Sequence, residues 1–246
     1  MEEKKKQRGE SEQECLNAVR KILSTKECWA YIGDDLEIFN NIRNAKPNEN
    51  LNKFPDFVFD GGFIEHFEVT SSEQTKNGFV YKLDEIDFNK DKDLKIKEWE
   101  EDCKKQKFNP NTIITKELNF NFDKGSYDYY VASFKKNFEK HIESLKKYNG
   151  DKNKGVFLID GKNANLHIEM KPPIIFYRLI YDKDILQYIY QFKDCLEYVI
   201  FTSIERLDII RISLIPKILE RIPKDIKFKA GRISSHTILA RFDLKI

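Results

Sequence analysis

Residues 54–72 read FPDFVFDGGFIEHFEVTSS. Two short apolar runs are joined by Asp60-Gly61-Gly62, which is typical of a β-hairpin because glycine tolerates the positive φ of tight turns. The runs carry Asp56 and Glu68, although strands are usually poor in acidic residues. Two carboxylates that converge on one face of a sheet make a site for a hard divalent cation. The stretch therefore predicts a sheet with a metal site and a metal-dependent hydrolase.

The length of the hairpin turn decides which residues lie opposite each other. If residues 60–62 form a three-residue turn, Asp56 faces His66. Because side chains alternate along a strand, Asp56 and Glu68 then become diagonal neighbours on one face, within reach of one ion. A two-residue glycine turn shifts the register and places Glu65 with Asp56 instead. A plainer interpretation of either register is that the acids are polar residues on a solvent-facing strand.

Bulk composition is that of a folded chain. The 246 residues are 40% hydrophobic, 13% aromatic and 34% charged, with a formal net charge of +2. This much apolar material excludes wholesale disorder, and no apolar run approaches the length of a membrane span. Cys15, Cys28, Cys103 and Cys195 form no CxxC pair, and the charged N-terminus does not resemble a secretory signal. We therefore expect a reduced, cytoplasmic protein with no membrane segment.

Periodicity along the chain predicts alternating helices and strands. Helices are predicted over 12–23 (Ser11 as N-cap), 82–107, 128–148, 182–195 and 216–223, and strands over 29–32, 54–59, 63–70, 112–122, 155–160, 198–203 and 207–214. The segment 36–42 is ambiguous, 46–53 is predicted as a loop, and 226–244 as partly extended. This order predicts an α/β fold with a mixed central sheet flanked by helices. We expect one domain over 1–246, with a disordered tail at 1–10 and a charged insertion at about 82–127.

Pro55-Asp56, followed after a turn by Glu68-Val69-Thr70, resembles the signature of the PD-(D/E)XK superfamily of restriction-endonuclease-like nucleases. The core of that family is a helix, three strands, a helix and a strand, and the first 160 or so residues follow this order. The resemblance implies that Asp56 and Glu68 hold Mg²⁺ or Mn²⁺, that the Val69 carbonyl faces the metal, and that Glu14 on the first helix is a third acid. Glu14 also fits a surface glutamate of a first helical turn.

Thr70 departs from the family pattern, which has lysine at this position. The family's lysine orients the attacking water and stabilises negative charge on the phosphate, and threonine carries no charge. We expect a lysine from a neighbouring element to take this role, and Lys140 is the candidate assigned to the catalytic site. The other candidates are Lys76, Lys82 and Lys136.

Three functional interpretations follow. The first is a divalent-metal-dependent nuclease that acts on DNA rather than RNA, in restriction or in phage or mobile-element biology, with a homodimer left open. The second is a degenerate relative that binds nucleic acid or a protein without cleavage, which Thr70 motivates. The third is an interaction protein with acids at its surface.

Three further motifs give weaker indications of function. His66 lies between the acids and either contacts phosphate or metal or is a buried, hydrogen-bonded histidine. Asp160-Gly161-Lys162 follows a strand but lacks the GxxxxGK[ST] pattern of a phosphate-binding loop. The lysine-rich face of helix 128–148 suits either solvent or a phosphate backbone.

Overall fold

The computed structural model describes residues 9–25, 27–50, 53–76, 78–105, 113–122, 125–169, 175–203, 206–224, 226–231 and 234–243. Within these ranges the α-helices are α1 (Glu10–Ile22), α2 (Glu37–Asn44), α3 (Val80–Lys105), α4 (Tyr127–Lys147), α5 (Lys183–Tyr190) and α6 (Ile215–Leu219). The strands are β1 (Cys28–Tyr31), β2 (Lys46–Pro47), β3 (Phe57–Phe59), β4 (Gly62–Thr70), β5 (Gln74–Thr75), β6 (Gly78–Phe79), β7 (Ile113–Phe122), β8 (Lys154–Asn163), β9 (Leu166–Ile168), β10 (Ile175–Phe176), β11 (Tyr198–Ser203), β12 (Arg206–Arg211), β13 (Phe228–Ala230) and β14 (Ser234–Asp243).

The fold is α/β, with a large mixed sheet flanked by helices, as the sequence predicts. In the described part of the chain seven strands form this sheet in the order β1-β12-β11-β8-β4-β3-β2. The three central strands β4, β8 and β11 run parallel, while β3 and β2 continue from β4 as an antiparallel meander. None of the described helices combines the length and the apolar character needed to cross a bilayer.

Central strands are apolar because both faces of the sheet are covered. On β8, Val156 and Leu158 belong to the core cluster that contains the buried residues of α1 and α2. Phe157 and Ile159, which alternate with them, belong to the cluster that contains the buried stripe of α4. The sheet therefore has an α1 face and an α4 face, and Asp160, the next residue of β8, continues the alternation on the α1 side.

Of the two hairpin pairings that the sequence left open, the structure has the second, with Glu65 rather than His66 opposite Asp56, although the turn is not formed by Gly61 and Gly62. Phe57 lies opposite Ile64 and Phe59 opposite Gly62, so the turn contains only Asp60 and Gly61. Gly61 adopts the positive φ of 80° that the turn needs. Gly62 is already in β4, where a Cβ atom would lie 2.3 Å from the Lys154 carbonyl oxygen and 2.6 Å from the Phe59 ring.

The second glycine is thus required by close packing and not by the turn. The three-residue register is wrong, and Asp56, which precedes Phe57 by one residue, falls opposite Glu65.

Strand order also corrects one expectation about the core. The strand predicted at 29–32 exists as β1, but it pairs in parallel with β12 at the far edge of the sheet. The meander instead begins with β2, which lies inside the segment predicted as a loop at 46–53 and pairs with β3. A two-residue strand has no periodicity to detect, so sequence order alone assigned the wrong first strand.

Other predicted elements have the expected type with shifted ends. The helix predicted over 182–195 ends at Tyr190, the ambiguous segment 36–42 forms α2, and Gly9 rather than Ser11 caps α1. The charged segment at 82–127 contributes α3 and β7, and β7 pairs along its whole length with β14. Strand β7 of the predicted insertion is therefore paired with the C-terminal part of the segment predicted as extended.

Candidate active site

Two acids and a lysine meet where β4 and β8 end. Glu68 and Asp160 lie directly opposite each other in the parallel ladder. The ammonium nitrogen of Lys162 is 3.2 Å from Glu68 Oε1 and 3.0 Å from Asp160 Oδ2. The side chains of Glu68 and Lys162 are 33% and 44% exposed, whereas Asp160 is buried. Since ligands of open α/β sheets bind at the carboxyl ends of the strands, this group is placed where a substrate can reach it.

A β-bulge shapes this end of the ladder. Glu68 pairs with Asp160 but Thr70 pairs with Asn163, so two residues of β8 lie opposite one residue of β4. The backbone N–H of Lys162 donates to Asp160 Oδ1 over 2.9 Å, which fixes the carboxylate beside the lysine. Bulges of this kind re-aim side chains and are common beside active sites.

Electrostatics keep Glu68 and Lys162 charged. Burial opposes ionisation of Glu68, but Lys162 and Lys82 lower the pKa of its carboxyl below the ordinary value. Burial likewise opposes the charge of Lys162, yet Asp160 and Glu68 raise the pKa of its ammonium group. The nitrogen of Lys82 is 3.9 Å from Glu68 Oε2, and the Ser11 hydroxyl donates to Glu68 Oε1 over 3.4 Å.

Asp56 belongs to a second polar group, on the β3 side of β4. Its backbone N–H donates to Glu65 Oε2 over 3.1 Å, and its Oδ2 accepts from the backbone N–H of His66 over 2.8 Å. Glu65 Oε1 is 2.6 Å from Nδ1 of His141. Burial, together with the neighbouring Glu65, raises the pKa of Asp56 to about 7, and burial raises the pKa of Glu65 to about 7. These two carboxyls therefore retain a proton well above the usual range.

His66 links the two groups. Its backbone contacts Asp56, and its buried ring places Nε2 4.0 Å from Asp160 Oδ2 on the α1 face. Burial lowers the pKa of the imidazole against the opposing effect of Asp160, Asp56 and Glu68, so the ring is neutral at neutral pH.

Thr70 and Val69 have structural contacts. Thr70 is 3% exposed, its hydroxyl donates to the Asn163 carbonyl over 3.0 Å, and the same hydroxyl accepts from the Ser72 N–H over 3.1 Å. The Val69 side chain lies in the core on the α4 face. The position that carries lysine in the resembled family is thus used here to join the ends of β4 and β8.

The two remaining predicted residues, Glu14 and Lys140, lie on helices at the protein surface. Glu14 is exposed on α1, and Glu12 is the α1 acid whose charge raises the pKa of both Asp56 and Glu65. Lys140 is exposed on α4, where its charge acts to lower the pKa of Glu65. Of the candidate lysines named from the sequence, Lys82 is the one within ion-pair distance of Glu68.

Sequence reasoning missed the roles of Asp160 and Lys162. Asp160-Gly161-Lys162 lacks the phosphate-loop pattern, and no other short motif marks it as a site. The available signal was different: an acid and a lysine two residues apart at the end of a fully apolar run, where a central strand reaches the carboxyl edge of its sheet.

Comparisons with protein-family models, curated proteins and solved structures return no match to this chain.

Proposed function

We propose that the protein is a divalent-metal-dependent nuclease whose centre is formed by Glu68, Asp160 and Lys162. The observation that carries the proposal is the contact of one lysine with two carboxylates at the carboxyl edge of the sheet. Two acids and a lysine are the residue types of the PD-(D/E)XK signature. Lys162 supplies, from the neighbouring strand, the positive charge that Thr70 lacks.

Element order supports the same proposal. Helix α1, the meander β2-β3-β4, helix α4 and strand β8 follow the helix, three strands, helix and strand of the resembled core. Glu68 lies on the third of these strands, where the resemblance expects the second metal ligand.

The donor chemistry suits Mg²⁺ or Mn²⁺, because both ions prefer carboxylate oxygens and bound water. Glu68 and Asp160 would hold the ion, and Asp56 stays in the proposed ligand set as the acid on the other side of His66. When bound, such an ion polarises a phosphodiester and lowers the pKa of water.

Lys162 has a different role in the proposal. Its ammonium group holds the two carboxylates in place, and it is exposed enough to contact a phosphate oxygen. A positive charge at that position stabilises the negative charge that develops on phosphorus oxygens during hydrolysis. DNA rather than RNA is the proposed substrate, and this choice rests on the resemblance to the family.

The test is cleavage of plasmid DNA, single-stranded DNA and RNA with Mg²⁺, Mn²⁺ or chelator. We expect Glu68→Gln, Asp160→Asn and Lys162→Met each to reduce metal-dependent cleavage at least about 100-fold, because each removes a charged group from the centre. Asp56→Asn is expected to have the same effect, because it removes a carboxylate of the proposed ligand set. Lys95→Met and Glu98→Gln, an exposed pair on α3, are the matched controls and should cleave normally.

Unchanged cleavage by both Glu68→Gln and Asp160→Asn would remove the proposal. Binding of DNA without cleavage under any metal condition would favour the non-cutting relative instead.

A further inference from the structure

A second cluster of ligand-type side chains lies beneath the candidate active site, on the α1 face of the sheet. Cys15 comes from α1, His66 from β4 and Asp160 from β8. One potential ligand atom from each residue lies within 4.8 Å of the other two. The three residues are 6%, 7% and 4% exposed, so their polar atoms are largely shielded from solvent.

In the part of the chain that the structure describes, the buried imidazole of His66 has an unpaired nitrogen that a bound cation would satisfy. Within the described residues its buried Nε2 has no hydrogen-bond partner, and the nearest acid oxygen, Asp160 Oδ2, is 4.0 Å away. Leaving a buried polar atom unpaired forfeits its hydration without replacing it, so native structures rarely do so. A cation bound by the imidazole nitrogen would satisfy this atom.

We propose that Cys15, His66 and Asp160 bind a zinc ion. Thiolate, imidazole and carboxylate are the ligands that zinc accepts, whereas Mg²⁺ and Ca²⁺ prefer oxygen alone. Metal–ligand distances of about 2.0–2.3 Å in a tetrahedral site separate neighbouring ligand atoms by roughly 3.3–3.8 Å. The present separations therefore need to shorten by no more than about 1–1.5 Å.

Zinc binding would displace the proton of the Cys15 thiol. Cys15 is a free thiol, and burial and Asp160 raise the pKa of its sulfhydryl group. Zinc would replace the thiol proton, which leaves to solvent, and bind the sulfur as thiolate. No oxidant or reductant is needed, and three protein ligands leave a fourth position for water.

The zinc site and the proposed nuclease centre share Asp160 and differ in their other residues. Glu68 and Lys162 are the exposed members of the nuclease centre, while Cys15 and His66 are buried and of softer ligand type. The inference does not rest on cleavage of nucleic acid and can be tested without substrate.

Titration of the metal-free protein with Co²⁺, followed by absorption, tests the inference. Cobalt is a spectroscopic substitute for zinc, and a cobalt–thiolate bond produces a charge-transfer band in the near ultraviolet. We expect one equivalent of Co²⁺ to produce this band, and one equivalent of Zn²⁺ to remove it because zinc binds more tightly to such ligands.

Variants assign the ligands. Cys15→Ser should abolish the band, and Cys103→Ser, the loss of another buried thiol, should leave it intact. His66→Gln and Asp160→Asn keep the thiol and should each weaken Co²⁺ binding by more than the roughly 10–100-fold that loss of an outer-shell partner costs. Circular dichroism shows whether each variant is folded.

Absence of the band in the wild-type protein, or its persistence in folded Cys15→Ser, would overturn the inference. Glu68→Gln separates the two proposals, because it should keep the cobalt band while losing metal-dependent cleavage. A cobalt band in a protein that never cleaves nucleic acid would support the zinc site and remove only the nuclease proposal.

Discussion

At the scale of single residues, Thr70 and Lys162 make different contacts at the ends of β4 and β8. Thr70 is buried and uses its hydroxyl to join the end of β4 to Asn163 of β8. A lysine at this position would have to bury an ammonium group, which is costly without a partner. Lys162, opposite on the bulged strand, already has two carboxylates within 3.2 Å.

We predict that Thr70→Val reduces the free energy of unfolding by about 1–3 kcal/mol, because the buried Ser72 N–H loses its acceptor and the Asn163 carbonyl loses a donor. Thr70→Ser keeps the hydroxyl and should recover most of this loss. Urea denaturation of both variants measures the difference. Equal stability of the Val variant and the wild type would show that these hydrogen bonds contribute little.

At the scale of elements, α4 determines how the sheet is covered on one face. Its stripe of Phe134, Phe138, Ile142 and Leu145 is buried, as periodicity predicts. Phe138 contacts aromatic rings from three directions, with ring centroids 5.0 Å from Phe157, 5.0 Å from Phe192 and 6.2 Å from Phe67. This packing supports β4 and β8 from behind, on the face opposite the buried His66.

Phe138→Ala should therefore reduce the free energy of unfolding by about 3–5 kcal/mol, the range for truncating a buried phenylalanine. Lys147→Ala, on the exposed side of the same helix, should change it by less than about 0.5 kcal/mol. Denaturant unfolding followed by tryptophan fluorescence measures both. A loss below 1 kcal/mol for Phe138→Ala would mean that α4 is not packed as described.

At the scale of the whole molecule, charged groups lie on both sides of β4. Glu68, Asp160 and Lys162 form a charge-paired group that reaches solvent. Asp56 and Glu65 form a pair of buried carboxyls with raised pKa values. Their neighbour His141 is neutral, because burial and Lys140 lower the pKa of its imidazole to about 4. The two groups affect global stability differently as pH changes.

We predict that the Asp56–Glu65 pair makes the wild type less stable as pH rises. The pKa of each carboxyl is about 7 in the folded protein and about 4 when unfolded. Between these values the folded state binds more protons, so this contribution to the free energy of unfolding is fully present below pH 4 and is lost as pH approaches 7. Each proton contributes a slope of at most about 1.4 kcal/mol per pH unit.

Glu65→Gln makes one member of the pair permanently neutral and isolates this effect. His66 and His141, whose lowered pKa values act in the opposite direction, are present in both proteins. The stability of the variant relative to the wild type should rise from pH 4 to pH 7, measured by denaturant unfolding in chelator. Parallel stability curves would contradict a raised pKa of the Glu65 carboxyl in the folded protein.

Local sequence determined the kind of most elements but only one member of the candidate site. Helical periodicity predicted α1 and α4, dense alternating charges predicted α3, and apolar runs predicted β4, β8, β11 and β12, because each pattern depends on neighbours along the chain. The same reasoning singled out Glu68. It expected a lysine from another element to replace the one missing at Thr70.

Only the tertiary structure decided which acids and which lysine meet. The turn could be two or three residues long, and it is the pairing of β4 with β3 and β8 that shows two residues and places Gly62 against the Lys154 carbonyl. Lys162 reaches Glu68 across 94 positions of sequence, through the pairing of β4 with β8 and a bulge between them. Such contacts arise from packing between distant segments, and no local pattern encodes them.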